Sequence, residues 1–90
     1  MLTINVSRQA EKYLLKIPVK HAKQIAKTIV QLQQDHQRQS IALKGYDPFY
    51  RAKSGEYRII FFVDHKTLHI TLIGKRNDDE IYKLIKRFRR

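Results

Sequence analysis

The chain has 90 residues, 42% hydrophobic and 30% charged, which fits one globular domain with a core near the lower limit of unaided folding. It contains no cysteine, which excludes a disulfide framework and a thiolate metal site. Nineteen Lys+Arg against eight Asp+Glu give a formal charge of +11. So large an imbalance costs self-repulsion and points to nucleic acid or another polyanion as partner. No apolar run reaches membrane-spanning length, and the N-terminus lacks the basic-then-apolar layout of a signal peptide. The expectation is one cytoplasmic domain over residues 1–90, with no membrane partner.

Leu2, Ile4 and Val6 alternate with Thr3 and Asn5, the period of a half-buried strand. Ser7 then suits the cap of a first helix whose stripe is Ala10, Tyr13, Leu14 and Ile17. Pro18 interrupts it and fits the first turn of a second helix, with Val19, Ala22, Ile25, Ala26, Ile29 and Leu32 as its apolar stripe. Two amphipathic helices so closely joined predict a helical hairpin. The polar stretch from Asp35 to Asp47 reads as a connection, anchored by Leu43 and Tyr46. Three strands follow: Phe49–Lys53, Glu56–Val63 and Thr67–Ile73, with Ser54-Gly55 and Asp64-His65-Lys66 as the turns. Gly74 ends the last strand, and Asn77 with Glu80 three residues on forms the capping-box pattern of a short final helix. Its buried stripe is Ile81, Leu84, Ile85 and Phe88. The order predicts an α+β fold: an N-terminal strand, a helical hairpin, an antiparallel three-strand meander and a short C-terminal helix.

The turn at Ser54-Gly55 places Lys53 opposite Glu56, Ala52 opposite Tyr57, and Arg51 opposite Arg58. Side chains alternate between the faces of a sheet. Arg51, Lys53, Glu56 and Arg58 then share one face, with Ile60 and Phe62 further along it. Tyr50, Ala52, Tyr57, Ile59, Phe61 and Val63 share the other, which is expected to pack on the helices. Like charges placed opposite one another destabilise a sheet. A gathered set of three cations is therefore better explained by phosphate recognition than by a solvated surface.

Gly74-Lys75-Arg76 adds a second basic element where a strand ends and a helix is about to begin. Asp78, Asp79 and Glu80 suit the positive end of that helix dipole, and adjacent helical positions do not converge on one metal ion. Tyr82 lies at the edge of the last apolar stripe, either as a boundary ring or as a ring stacking on a base. His21 and His36 fall in helical surface contexts, His65 in a turn, and His69 on the last strand, where it suits the open sheet face. No two histidines converge as a histidine-based ribonuclease requires. The basic run Lys83, Lys86, Arg87, Arg89 and Arg90 suits a helix C-terminus and equally extends a nucleic-acid-binding surface.

Taken in order, Tyr50-Arg51-Ala52-Lys53, Gly55-Glu56-Tyr57-Arg58-Ile59-Ile60, Gly74-Lys75-Arg76 and Tyr82 resemble the RelE/ParE superfamily of toxins, and more closely the RelE-type mRNA interferases. The order of elements over the whole chain matches as well. The resemblance implies the toxin of a type II toxin-antitoxin system that cleaves mRNA in the ribosomal A site without a metal or cofactor. Its implied partners are mRNA, the ribosome and a cognate antitoxin with an acidic toxin-binding segment. Carried over by position, Lys53 is the leading base for the 2′-OH, and Arg51 and Arg58 stabilise the phosphorane. Arg76 assists the departing 5′-oxygen, and Tyr82 stacks on the substrate. Neighbouring cations help a lysine to shed its proton, whereas a carboxylate such as Glu56 holds it. Arginine is a poor general acid, so charge stabilisation is the role expected of Arg76. This chain departs from some ribosome-dependent members in having Arg51 where they have lysine, and in a shorter turn before Tyr57-Arg58.

Two alternatives stand beside this reading. A ParE-like toxin has the same fold and acts on DNA gyrase without cutting RNA, and such proteins tend to lack the complete basic-plus-tyrosine set. A non-catalytic RNA-binding module would need only the net charge. Fold similarity alone does not choose among the three.

Overall fold

The computed structural model describes residues 1–38 and 40–76 and, near the C-terminus, residues 83, 85 and 86. Strand β1 (Thr3–Val6) shows the expected alternation, with Thr3 and Asn5 exposed and Ile4 and Val6 half-buried. The chain then turns through Ser7 into helix α1 (Arg8–Lys16). The Ser7 hydroxyl accepts the Ala10 N–H at 3.1 Å and donates to the Thr71 carbonyl at 2.6 Å, so one side chain caps the helix and ties it to the sheet.

Helix α2 (Val19–Asp35) begins one residue later than expected. Pro18 stands outside it in an extended conformation, and its carbonyl accepts the His21 and Ala22 N–H groups at 2.9 and 3.0 Å. Proline has no N–H to donate, so the position ahead of the helix suits it. Ile25, Ile29 and Leu32 are buried, but Val19 and Ala26 of the expected stripe are exposed. Spacings of four and three keep the buried trio on one line of the helix, and a helix lying on a sheet buries little beyond such a line.

Five strands form one sheet in the order β1-β5-β4-β3-β2. Strand β2 (Ser40–Ala42) lies in the stretch expected to be a plain connection and pairs antiparallel with β3 (Tyr50–Ser54) at the sheet edge. Three residues with exposed Ile41 and Ala42 carry too little periodicity to announce a strand. Strand β4 (Tyr57–Asp64) and strand β5 (Thr67–Lys75) complete the antiparallel run, and β1 pairs parallel with β5. β5 thus continues beyond Gly74, its expected end.

The β3–β4 turn corrects the expected register. Gly55-Glu56, not Ser54-Gly55, forms the two-residue turn, and Lys53 pairs with Arg58, Ala52 with Ile59 and Arg51 with Ile60. Two-residue hairpin turns need positive φ at their first central residue. Gly55 takes φ +60 there, a conformation that Ser54 would resist.

Opposite faces of the sheet carry separate cores. Ala52, Tyr57, Ile59, Phe61, Leu68, Ile70 and Ile73 pack with Ala10, Ile25, Ile29 and Leu32 of the helices. On the other face Ile60 and Leu72 pack with Leu43, Phe49 and Ile85. Lys83, Ile85 and Lys86 are helical, which agrees with a C-terminal helix burying Ile85. The cap at Asn77 and the rest of that helix's stripe (Ile81, Leu84, Phe88) lie outside the described residues. No helix among the described residues is long and apolar enough to cross a membrane.

Between the Ile60–Leu72 and Phe61–Ile70 pairs the register shifts, leaving Thr71 as the extra residue of a bulge on β5. Ser7 holds that bulge through the Thr71 carbonyl. Ser7→Ala removes both the cap and this contact. It is expected to cost about 2–3 kcal/mol, read as a fall in melting temperature on the order of 10–15 °C by circular dichroism.

Candidate functional site

Strand alternation sets the cations on the face turned away from α1 and α2. Arg51 and Lys53 project from β3, and Arg58 projects from β4 directly across from Lys53. Lys53 is exposed, whereas Arg51 and Arg58 are half-buried. On its other side Arg58 faces Gly74 of β5, which adds no side chain to crowd the guanidinium. The Arg58 Nε is buried and has no hydrogen-bond partner among the described residues. An orphaned donor of this kind costs about 1–3 kcal/mol, and directly opposed like charges add to that. The fold holds Lys53 and Arg58 together against both costs.

The end of β5 completes this pole. Arg76 donates its backbone N–H to the Glu56 carbonyl at 2.8 Å, bringing the exposed Arg76 alongside the β3–β4 turn. Lys75 pairs with Tyr57 and is exposed. Glu56 therefore sits in the turn beside Arg76 instead of opposite Lys53, where the sequence reading placed it. The described residues thus bring Arg51, Lys53, Arg58 and Arg76 to one end of the sheet. Tyr82 lies outside the described residues.

Buried contacts on the helix side support this pole. Tyr57, next to Arg58, is 3% exposed, and its hydroxyl lies 2.7 Å from His21 Nδ1. Tyr13 meets the same ring edge-on at a centroid distance of 6.2 Å. His21, expected on the surface, is half-buried instead, and His36 is half-buried with its ring edge-on to Tyr50 and Phe61. Both histidines are occupied on the side of the sheet opposite the cations. Gln9 of α1 closes the edge of β5 where β1 has ended: its amide donates to the Ile73 carbonyl at 3.1 Å and accepts the Ile73 N–H at 3.0 Å. The approach to Gly74-Lys75-Arg76 is held by that side chain, whose role no sequence period signals.

Residues 43–49 fold over the basic face through Leu43 and Phe49, with Tyr46 packed against the same cluster. The sequence reading took Leu43 and Tyr46 as anchors, and they are. His69 lies on the cation-bearing face as expected, at the far end of the sheet from Lys53, across from Phe62 on one side and Asn5 on the other.

A family model described as the ParE toxin of type II toxin-antitoxin systems (parDE) matches residues 4–80. The chain belongs to this toxin family. The toxin's fold is shared with solved RelE structures. Superposition on a chain of the RelBE2 toxin–antitoxin complex of Mycobacterium tuberculosis gives a TM-score of 0.76 at 22% identity, covering 83% of this chain and 98% of that one. Isolated Escherichia coli RelE gives 0.73 at 22% identity, covering 98% and 99%. A chain of the archaeal RelE–RelB complex from Pyrococcus horikoshii gives 0.70 at 24% identity, covering 84% and 96%. Identities this low establish the fold that the toxin shares with RelE, which is the α+β architecture expected from its sequence. No curated protein sequence matches the toxin significantly.

Proposed function

We propose that this toxin is a metal-independent endoribonuclease that cleaves mRNA in the ribosomal A site. The observation that carries the reading is the direct opposition of Lys53 and Arg58, with Arg51 two residues along β3. A site with that charge density is suited to a phosphate passing through a pentavalent, doubly charged state. In the proposed reaction the ribose 2′-oxygen attacks the adjacent phosphorus and the bond to the 5′-oxygen breaks. The proton of the 2′-OH leaves to a base, and the 5′-oxygen gains one. The products are a 2′,3′-cyclic phosphate and a 5′-OH. Arg51 and Arg58 neutralise the equatorial oxygens, Arg76 faces the leaving oxygen, and Tyr82 orients the substrate by stacking. Lys53 is the proposed base, and the displacement of Glu56 into the turn favours that assignment. Its partners would be mRNA and ribosomal RNA in the cytoplasm, together with a cognate antitoxin bearing an acidic segment. The solved relatives that are toxin–antitoxin complexes support an antitoxin as partner, without bearing on its charge.

A second reading is favoured by the family match itself: a ParE-like toxin that inhibits DNA gyrase and leaves RNA intact. The retained cations weigh against it, because such proteins tend to lack the set. Mapping mRNA 5′ ends in a translation extract separates the two. The nuclease reading expects new ends at A-site codons, and intact mRNA beside inhibited gyrase would overturn it. Lys53→Arg and Lys53→Ala divide the roles of Lys53 in the same assay. If Lys53 is the base both variants fail, since a guanidinium does not give up its proton at neutral pH. If Lys53 supplies charge alone, Lys53→Arg stays active.

A further inference from the structure

Beyond the end of β1, the start of helix α1 takes over the free edge of β5 one backbone group at a time. The pairing of the two strands stops at Val6–Ile70. The Ser7 N–H then donates to the Ile70 carbonyl at 2.9 Å, and the Ser7 hydroxyl donates to the Thr71 carbonyl. Gln9 follows with two bonds to Ile73: its amide nitrogen donates to the carbonyl at 3.1 Å, and its amide oxygen accepts the N–H at 3.0 Å. A backbone N–H only donates and a carbonyl only accepts, so the two bonds fix the orientation of the amide. One side chain thus supplies both bonds that a neighbouring strand would make to Ile73.

On its other side Ile73 pairs with Ile59 of β4, and the next rung sets Gly74 across from Arg58. Gly74 has no side chain to pack against a neighbour. Arg76 follows two residues later, with its N–H on the Glu56 carbonyl. From Ile73 to Arg76 the extended chain covers roughly 10 Å. A tilt of the strand at Ile73 is therefore carried into the backbone across from Arg58 and into the place of Arg76. The two bonds bring little net stability, because a glutamine gives up much rotamer freedom to make them. Their larger effect is on position, and a misplacement on the order of 1 Å costs up to about 100-fold in rate. We propose that Gln9 is a positioning residue of the cleavage reaction, acting through Arg76 by holding the end of β5 at Ile73. This rests on the nuclease reading above, with Arg76 at the leaving oxygen.

The test is single-turnover cleavage on programmed ribosomes, well below the melting temperature of each variant. The rate at saturating toxin and the half-saturating concentration are read separately. Gln9→Ala should lower the saturating rate about tenfold. It should move the half-saturating concentration by less than about twofold, since Gln9 reaches the substrate only through the strand. Gln9→Met keeps the length of the side chain without its two bonds and should match Gln9→Ala. In an Arg76→Ala background Gln9→Ala should cost nothing further, because the group it places is gone. A Gln9→Met protein that cleaves at the wild-type rate overturns the proposal, as does a loss confined to the half-saturating concentration. So does a Gln9→Ala loss that persists undiminished beside Arg76→Ala, or an Arg76→Ala protein as fast as wild type. Each of these leaves the nuclease reading standing. A wild-type protein that leaves the mRNA intact overturns both.

Discussion

Arg58→Ala is expected to slow RNA cleavage by roughly 100- to 1000-fold, the usual cost of removing a group that stabilises transition-state charge. Its melting temperature should be unchanged or higher. The second expectation gives the first its meaning. Arg58 faces Lys53 across the hairpin, and its Nε is buried without a hydrogen-bond partner among the described residues. Both features oppose folding, and alanine removes both. A residue present for structure would show the reverse, a lower melting temperature with activity following stability. Single-turnover cleavage on programmed ribosomes, read beside thermal unfolding, separates the two cases. Cleavage at the wild-type rate would remove Arg58 from the site. A gain in stability with a loss of activity is the trade expected where a fold keeps a costly group for chemistry.

Phe61→Ala should have the largest effect on stability. Phe61 is fully buried, stacks on Tyr50 at 5.7 Å and meets the His36 ring edge-on at 6.4 Å. Truncating such a phenylalanine costs about 3–5 kcal/mol through lost transfer energy and the cavity left behind. Small domains have roughly 5–15 kcal/mol in total, so the loss is a large part of the whole. The expected result is a fall in melting temperature on the order of 20 °C. Phe61→Leu, which refills most of the space, should lose much less. Phe61 lies three residues beyond Arg58 on the opposite face of β4. Phe61→Ala should therefore lose stability in solution while binding RNA normally below its melting point. Loss of binding by the fully folded variant would show that the helix-side core also shapes the cation face.

The cation face survived a wrong turn in the sequence reading, and the reason is geometric. Moving a two-residue turn by one position changes every partner across the hairpin by two residues, and a step of two stays on the same face. Arg51, Lys53 and Arg58 therefore share a face under either register. What changes is which charges are opposed. Glu56 opposite Lys53 would have argued against a base, and Arg58 opposite Lys53 does not. The signal that decides between them was present in the sequence: only Gly55 readily takes positive φ at the first turn position.

Other features were less visible. Strand β2 is short with an exposed end, and β1 pairs with β5 over a separation of more than sixty residues. Gln9 reads as an ordinary polar residue in the first turn of a helix until β1 ends and leaves the Ile73 backbone without a strand beside it. His21 and His36 read as surface residues because each helix position was judged from its own stripe, whereas the sheet beneath supplies Tyr57, Tyr50 and Phe61 to meet them.

The resemblance to the toxin family lay in short motifs taken in order, while by itself the sequence determined the charge, the alternation and the helical stripes, hence the α+β class and the face that carries the cations. These follow from local periods and composition, which need no knowledge of distant neighbours. Tertiary structure decided that Lys53 meets Arg58, that Arg76 closes on the Glu56 turn, and that Asn5 meets His69. Each of these pairs joins different strands or a strand to a turn, and hydrogen-bonded register, not the order of residues along the chain, sets which side chains face one another.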